Sequence, residues 1–207
     1  VSFVWSAASQ RYRDEASGRF VSQVAVNQAV DAVIKAGSQH MVAMTQALQT
    51  NQITLAEWQT QMATEIKMLH TGAAALGRGG WEQMTQSDWG WTGQRIRAQY
   101  GWLRNFAHDI AVGHQPMDGR LLARAAMYAE ATRATQREMQ RFNASVIGRT
   151  QERNVLGAAE HCGGCLSATA RGWVPIGSLP AIGNRECRSR CRCSIVTRRE
   201  PQQLAAA

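Results

Sequence analysis

Thr54-Leu55-Ala56-Glu57-Trp58-Gln59-Thr60-Gln61-Met62-Ala63-Thr64-Glu65-Ile66-Lys67-Met68-Leu69 is the stretch whose reading decides the fold. Thr54 followed three residues later by Glu57 is a capping box, the signature of a helix start. Leu55, Trp58, Met62, Ile66 and Leu69 then recur at spacings of three and four. That period puts them on one helix face, which is the pattern of a buried stripe. The helix should run to roughly Leu76, with Gly77, Gly79 and Gly80 stopping it.

Working outward from this helix, the same period recurs on both sides. Upstream, Val26, Val30, Val33, Ile34, Met41, Met44 and Leu48 predict a helix from Ser22 to about Thr50. Gly37-Ser38 reads as a bend in it, and Asn51-Gln52 as the turn that follows. Downstream, Ile96, Tyr100, Leu103, Ala107 and Ile110 form the stripe of a third helix, with Ser87 or Asp88 as its cap and Gly113 at its end. A fourth helix, carrying Leu121, Leu122, Ala125, Tyr128, Met139 and Phe142, should reach about Asn143. Before them all, Asp14 to Gly18 is turn chemistry flanked by Phe3, Trp5, Tyr12 and Phe20, which predicts a small hairpin. A lone hairpin is marginal, so it should pack on the helices or on a partner.

After Gly157 the composition changes. Gly, Pro and Cys replace helix formers, and 172–183 has no helical period, so short strands and turns are expected there. The fold class predicted is therefore mainly α: a body of about four helices, an N-terminal β-hairpin and a small cysteine-rich C-terminal module. The expected division is an arm at 1–21, a helical body at 22–156, a module at 157–199 and a tail at 200–207.

All five cysteines lie in that module, as Cys162-Gly-Gly-Cys165 and Cys187-Arg-Ser-Arg-Cys191-Arg-Cys193. A Cys-x-x-Cys pair brings two thiolates to one ion, and a second group about 20 residues on supplies the rest of a tetrahedral set. A segment this short with few core residues also needs a staple. The spacing thus predicts structural Zn²⁺. Cys162, Cys165 and Cys187 are the expected ligands, with either Cys191 or Cys193 as the fourth, or His161 standing in. Val1–Gln10 lacks a basic segment ahead of an apolar one, so no signal peptide is expected, and reduced thiols are favoured over disulfides. A redox Cys-x-x-Cys needs a thioredoxin-like βαβ context that is missing, and a deaminase needs a His-x-Glu that the chain lacks.

The 207 residues carry a net charge of +8, all of it in the second part: residues 1–77 hold five basic and five acidic groups, residues 78–207 eighteen and ten. Of the 23 cations 21 are arginine, which suits an acidic partner or an arginine-rich solvated surface. Within the module Arg185, Arg188, Arg190, Arg192, Arg198 and Arg199 fall in fifteen residues, and some of that charge is expected to offset a metal–thiolate site. Trp81, Trp89, Trp91 and Trp102 cluster around the third helix. They could stack bases between Arg95, Arg97 and Arg104, but core and protein interface are the favoured readings. No 18-residue apolar run, P-loop, dinucleotide fingerprint or nucleophile elbow is present. His40, His70, His108 and His114 are scattered, and no catalytic residue is assigned.

The run His161-Cys-Gly-Gly-Cys-Leu, then Gly172-Trp-Val-Pro-Ile-Gly-Ser-Leu-Pro180, then Cys187-Arg-Ser-Arg-Cys-Arg-Cys193 resembles the C-terminus of tailed-phage minor head proteins, the Mu F-like head morphogenesis family. That family typically ends in Cys-x-x-Cys, a short loop and Cys-Arg-Cys, often preceded by His-Pro. Here the His-Pro is absent and Cys187 stands near its place. Arg11-Tyr-Arg-Asp, Gly18-Arg-Phe-Val21 and Ile53-Thr-Leu-Ala-Glu-Trp58 also look like phage head-gene products. The motif-level match covers about 40 residues of the chain. The resemblance implies a virion component made in the host cytoplasm, sited in the head or at the head–tail junction. It implies docking on portal, capsid or neck proteins and no enzymatic activity. The charge of the Arg-rich module leaves two contacts open, an acidic face of such a partner, which is favoured, or packaged DNA; a homo-oligomer in the virion is the expected assembly. A second reading of the same residues is a soluble zinc-module protein that binds nucleic acid.

Overall fold

The computed structural model describes residues 3–200, so the first two residues of the expected arm and nearly all of the tail lie outside the described residues. Four long helices form the body: α1 (Gln23–Gln49), α2 (Leu55–Arg78), α3 (Gln86–Ala111) and α4 (Gly119–Val146). They agree with the stripes read from the sequence. Ser22 caps α1 by accepting from Ala25 N–H, and Thr54 and Glu57 complete the capping box of α2 in both directions. The cap of α3 is Thr85, not Ser87 or Asp88. Asp88 sits at the third helical position and bonds back to Thr85, and the same carboxylate accepts from Arg78 Nε at 2.9 Å. A shorter acid thus takes the role that Glu has in the usual capping box.

Gly37, expected at a bend, and Gly77, expected to stop its helix, both lie inside continuous helices. A Cβ on Gly37 would stand 2.7 Å from Leu69 Cδ1, and one on Gly77 would stand 2.4 Å from the Gln136 carbonyl oxygen. They are the points where α1 meets α2 and α2 meets α4; at Gly77, against backbone, only a hydrogen fits, while at Gly37 the end of Leu69 would have to shift. The stop comes at Gly79, whose φ of 107° places it in the left-handed region favoured at helix ends.

Helix α2 packs on α1, α3 and α4, and α4 packs on α1. Trp58, Met62, Ile66 and Leu69 of α2 meet Ile34, Met41, Leu103, Phe106 and Leu121 in one buried core. Trp58 is fully buried, donates from Nε1 to Thr45 Oγ1 at 3.0 Å, and meets Phe106 edge-on at 5.2 Å. Leu55 is half-buried at the edge, and Val33 faces solvent.

The N-terminal segment is a three-stranded antiparallel meander: β1 (Phe3–Ser6), β2 (Arg11–Asp14) and β3 (Phe20–Val21). Asp14 to Gly18 does form a turn, with the Asp14 carboxylate accepting from Ser17 N–H at 2.8 Å. Phe3 and Tyr12 are buried against Val26. Phe20 is not: it is exposed beneath the guanidinium groups of Arg11 and Arg13. The tryptophans around α3 also leave the core. Trp81 (56% exposed) stacks on Trp89, Trp91 meets Phe142 edge-on, and Trp102 is 58% exposed.

The C-terminal module contains a second antiparallel sheet, in the order β5 (Val174–Pro175), β4 (Gln151–Val155), β6 (Ser194–Arg198), and one short helix, α5 (Gly163–Ala170). Its central strand β4 lies within the stretch assigned to the helical body, ahead of the expected boundary at 156/157. On the side facing the helices, Glu152 is fully buried. Its carboxylate receives Arg141 of α4 bidentately and the Leu179 N–H at 2.8 Å. No helix among the described residues is long and apolar enough to cross a membrane.

Candidate metal centre

The two cysteine groups are brought together by α5 on one side and a 3-10 turn on the other. Cys162 caps α5, and its carbonyl accepts from Cys165 N–H at 3.0 Å and Leu166 N–H at 3.1 Å. The Gly163-Gly164 pair is therefore the first turn of a helix. The Glu186 carboxylate covers that helix end, accepting from Gly164 N–H at 3.2 Å. Cys187 opens the 3-10 turn Arg188–Arg190, and Cys191 closes it.

All five cysteines are free. They form two triads that share Cys165. The sulfurs of Cys162, Cys165 and Cys187 lie within 4.8 Å of one another, and so do those of Cys165, Cys191 and Cys193. Cys165 Sγ stands 3.6 Å from Cys187 Sγ and 3.8 Å from Cys191 Sγ. These separations are too long for disulfides, which need about 2.05 Å. They fit a metal. With metal–sulfur bonds of about 2.3 Å, the edge of a tetrahedron is about 3.8 Å. The cluster could hold a metal ion. His161, half-buried, belongs to neither triad.

The thiols make up most of the module's small buried apolar cluster. Cys165, Cys191, Cys193 and Ile182 are its buried centre, flanked by Leu156 and Ile195. Burial pushes the Cys165 and Cys187 thiols above their ordinary pKa. At Cys162 burial acts in the same direction. The N–H groups of Cys165 and Cys187, with the neighbouring thiols, outweigh it and bring the pKa down. Thiols crowded this closely resist ionising together, and a bound dication reverses that preference.

One of the arginines expected to offset the site, and one residue that motif reading did not find, complete the surroundings. Arg185, only 5% exposed, points Nη1 at Cys165 Sγ (3.7 Å) and at Asn154 Oδ1 (2.7 Å), while Nη2 donates to the Pro180 carbonyl at 2.9 Å. Asn154 of β4 in turn donates from Nδ2 to Thr169 Oγ1 at 2.7 Å. A positive side chain locked against the sulfurs offsets negative charge that thiolates would bring. Arg185 is thus withdrawn from any partner. Arg198, half-buried, lies over Trp173 at 4.1 Å and donates to Gln151. Arg188, Arg190, Arg192 and Arg199 remain exposed, though Arg192 reaches Glu130 of α4 at 3.3 Å. A buried Asn in a polar strand carries no sequence signal of its own; only the thiols it serves would have marked it.

Comparison with family models, with characterised proteins and with solved structures finds no match to this chain.

Proposed function

We propose that this chain is a non-catalytic structural protein of a tailed-phage head, docking on portal, capsid or neck proteins, with its C-terminal module stapled by one Zn²⁺. What supports the metal half is the convergence of two triads of free thiols on Cys165, with Cys187 and Cys191 at tetrahedral-edge distances from it and the counter-charge of Arg185 beside them. Soft thiolate donors favour zinc over the harder divalent ions. Cys162, Cys165 and Cys187 supply three ligands, and Cys191 or Cys193 supplies the fourth. What supports the head-protein half is the resemblance of the residues around those cysteines, together with exposed aromatics of the kind that protein interfaces use: Trp81 stacked on Trp89.

Elemental analysis of the purified chain should find one zinc per chain. Chelation should melt 157–199 and leave the helical signal of α1–α4, because structural zinc contributes folding energy directly. Changing Cys191 and Cys193 singly to Ser should abolish zinc retention in one case and spare it in the other. Metal-free protein with paired thiols would overturn the zinc reading. For the other half, the chain should co-sediment with phage particles and be captured by purified portal or capsid protein. Failure of both would overturn the head assignment and leave the metal site standing.

A further inference from the structure

A cleft of about 660 Å³ runs between α3, α4 and the loop that carries the second cysteine group. From α3 it is lined by Arg95, Gln99 and Trp102, one helix face at spacings of four and three. From α4 it is lined by Arg124 and Tyr128, and from the module by Arg185 and Arg188. The loop is seated there by close contact, since a Cβ on Gly183 would stand 2.9 Å from Ala134 Cβ.

The charge of this cleft is one-sided. Four arginines line it and no carboxylate does. Arg124 is paired with Asp109 at 2.8 Å, and Arg185 is consumed by the cysteine site. Arg95 and Arg188 are different: among the described residues neither side chain makes a hydrogen bond or an ion pair. Arg95 is half-buried and lies over Trp91. The opposing charge that acts on it is Glu138, which Arg141 already holds at 3.5 Å. Arg188 sits at φ 45°, in the left-handed region that non-glycine residues seldom occupy. Backbone strain of this kind is kept where the surroundings impose it, and it is frequent at ligand sites. Beside it the Ser189 hydroxyl is buried without a partner. Trp102, 58% exposed, lines the same cleft.

We propose that this cleft binds one nucleotide unit of a single-stranded nucleic acid, with the phosphate on Arg95 and Arg188 and the base stacked on Trp102. Unengaged guanidinium groups are strong phosphate ligands, and an exposed indole is a stacking platform for any base. In a duplex the bases are already stacked on one another, so Trp102 favours the single strand. This goes beyond the head-protein reading and does not rest on it.

The test is fluorescence anisotropy of the full chain with fluorescein-labelled dT12, against a 12-base-pair duplex. Thymidine monophosphate, inorganic phosphate and poly-Glu serve as competitors. Single strand should bind more tightly than duplex, and thymidine monophosphate should compete better than phosphate or poly-Glu. Trp102→Ala should weaken dT12 binding by roughly five- to hundredfold, and Trp102→Phe should recover most of it. Arg95→Gln and Arg188→Gln should each flatten the log–log salt slope by about 0.7. Arg190→Gln, on the same turn but outside the cleft, should change it less. Circular dichroism of each variant separates loss of binding from loss of fold, and the salt slope and competition with wild-type protein need no variant. No dT12 binding at low salt, wild-type affinity in Trp102→Ala, or poly-Glu competing as well as thymidine monophosphate would each overturn the proposal.

Discussion

Replacing Glu152 by Ala removes the one acid that ties the module's central strand to the helical body. Both partners are buried: the Glu152 side chain is 0% exposed and that of Arg141 8%. Removing one member of a buried ion pair leaves an uncompensated charge and costs about 3–5 kcal/mol. Two local features adjust that figure. Arg141 keeps Glu138 at 3.5 Å and the Leu179 carbonyl at 2.9 Å, which pulls it down. The Leu179 N–H loses its acceptor at 2.8 Å, which adds back about 1 kcal/mol. We expect about 4 kcal/mol, a fall in Tm of about 8–16 °C for a chain of this size. Thermal and urea denaturation of Glu152→Ala would measure it. The companion variant Arg141→Met with Glu152→Leu should recover at least half of the loss, because an apolar pair avoids the desolvation cost. Glu138, whose pKa burial already pushes up, then takes up a proton instead of standing as a lone charge. A single-variant loss below about 1 kcal/mol, the level of surface positions, would refute the reasoning. So would a double variant no better than the single one.

Trp58→Ala should cost about 3–5 kcal/mol in urea denaturation. Trp58→Phe should cost less, about 1–2 kcal/mol, since it keeps ring packing on Phe106 but leaves Thr45 without its donor. His70 is buried, and burial, with the Arg95 charge adding to it, takes its pKa down to about 4. Its folded pKa lies below the unfolded value of about 6.5, so its neutral form contributes stability that is complete above about pH 6.5 and lost as pH falls toward 4. That contribution is about 3 kcal/mol. The urea midpoint of His70→Gln should therefore fall less between pH 7 and pH 4.5 than that of the wild-type chain, and equal falls would remove His70 as the cause.

The helical body was legible because its signals are local. The box Thr54–Glu57 and the stripe from Trp58 to Leu69 state both the start and the buried face of α2 within sixteen residues, and the structure agrees. Errors arose where a residue's role is set by a distant neighbour. Gly37 and Gly77 look like breakers in one dimension and are contact points in three, because Leu69 and Gln136 lie far away along the chain. Phe20 looks like core and is exposed because its cover is two arginines from the neighbouring strand, which need water at their far ends.

The module shows the same limit more sharply. Its cysteines were readable from spacing, and they do converge on Cys165. Strand β4, Gln-Glu-Arg-Asn-Val, was not, because it lacks the apolar alternation of a half-buried strand. Its inward positions are Glu152 and Asn154, both buried, one satisfied by Arg141 of α4 and the other by Arg185 beside the sulfurs. A polar strand of this kind is stable only when both partners are in place. One partner belongs to the helical body and the other to the cysteine cluster, so β4 couples the two. Loosening the thiol cluster frees Arg185, and that leaves Asn154 short of a partner one pleat away from the Glu152 that anchors the sheet to α4. The cysteine cluster and the seating of the module on the helices are therefore parts of one polar network.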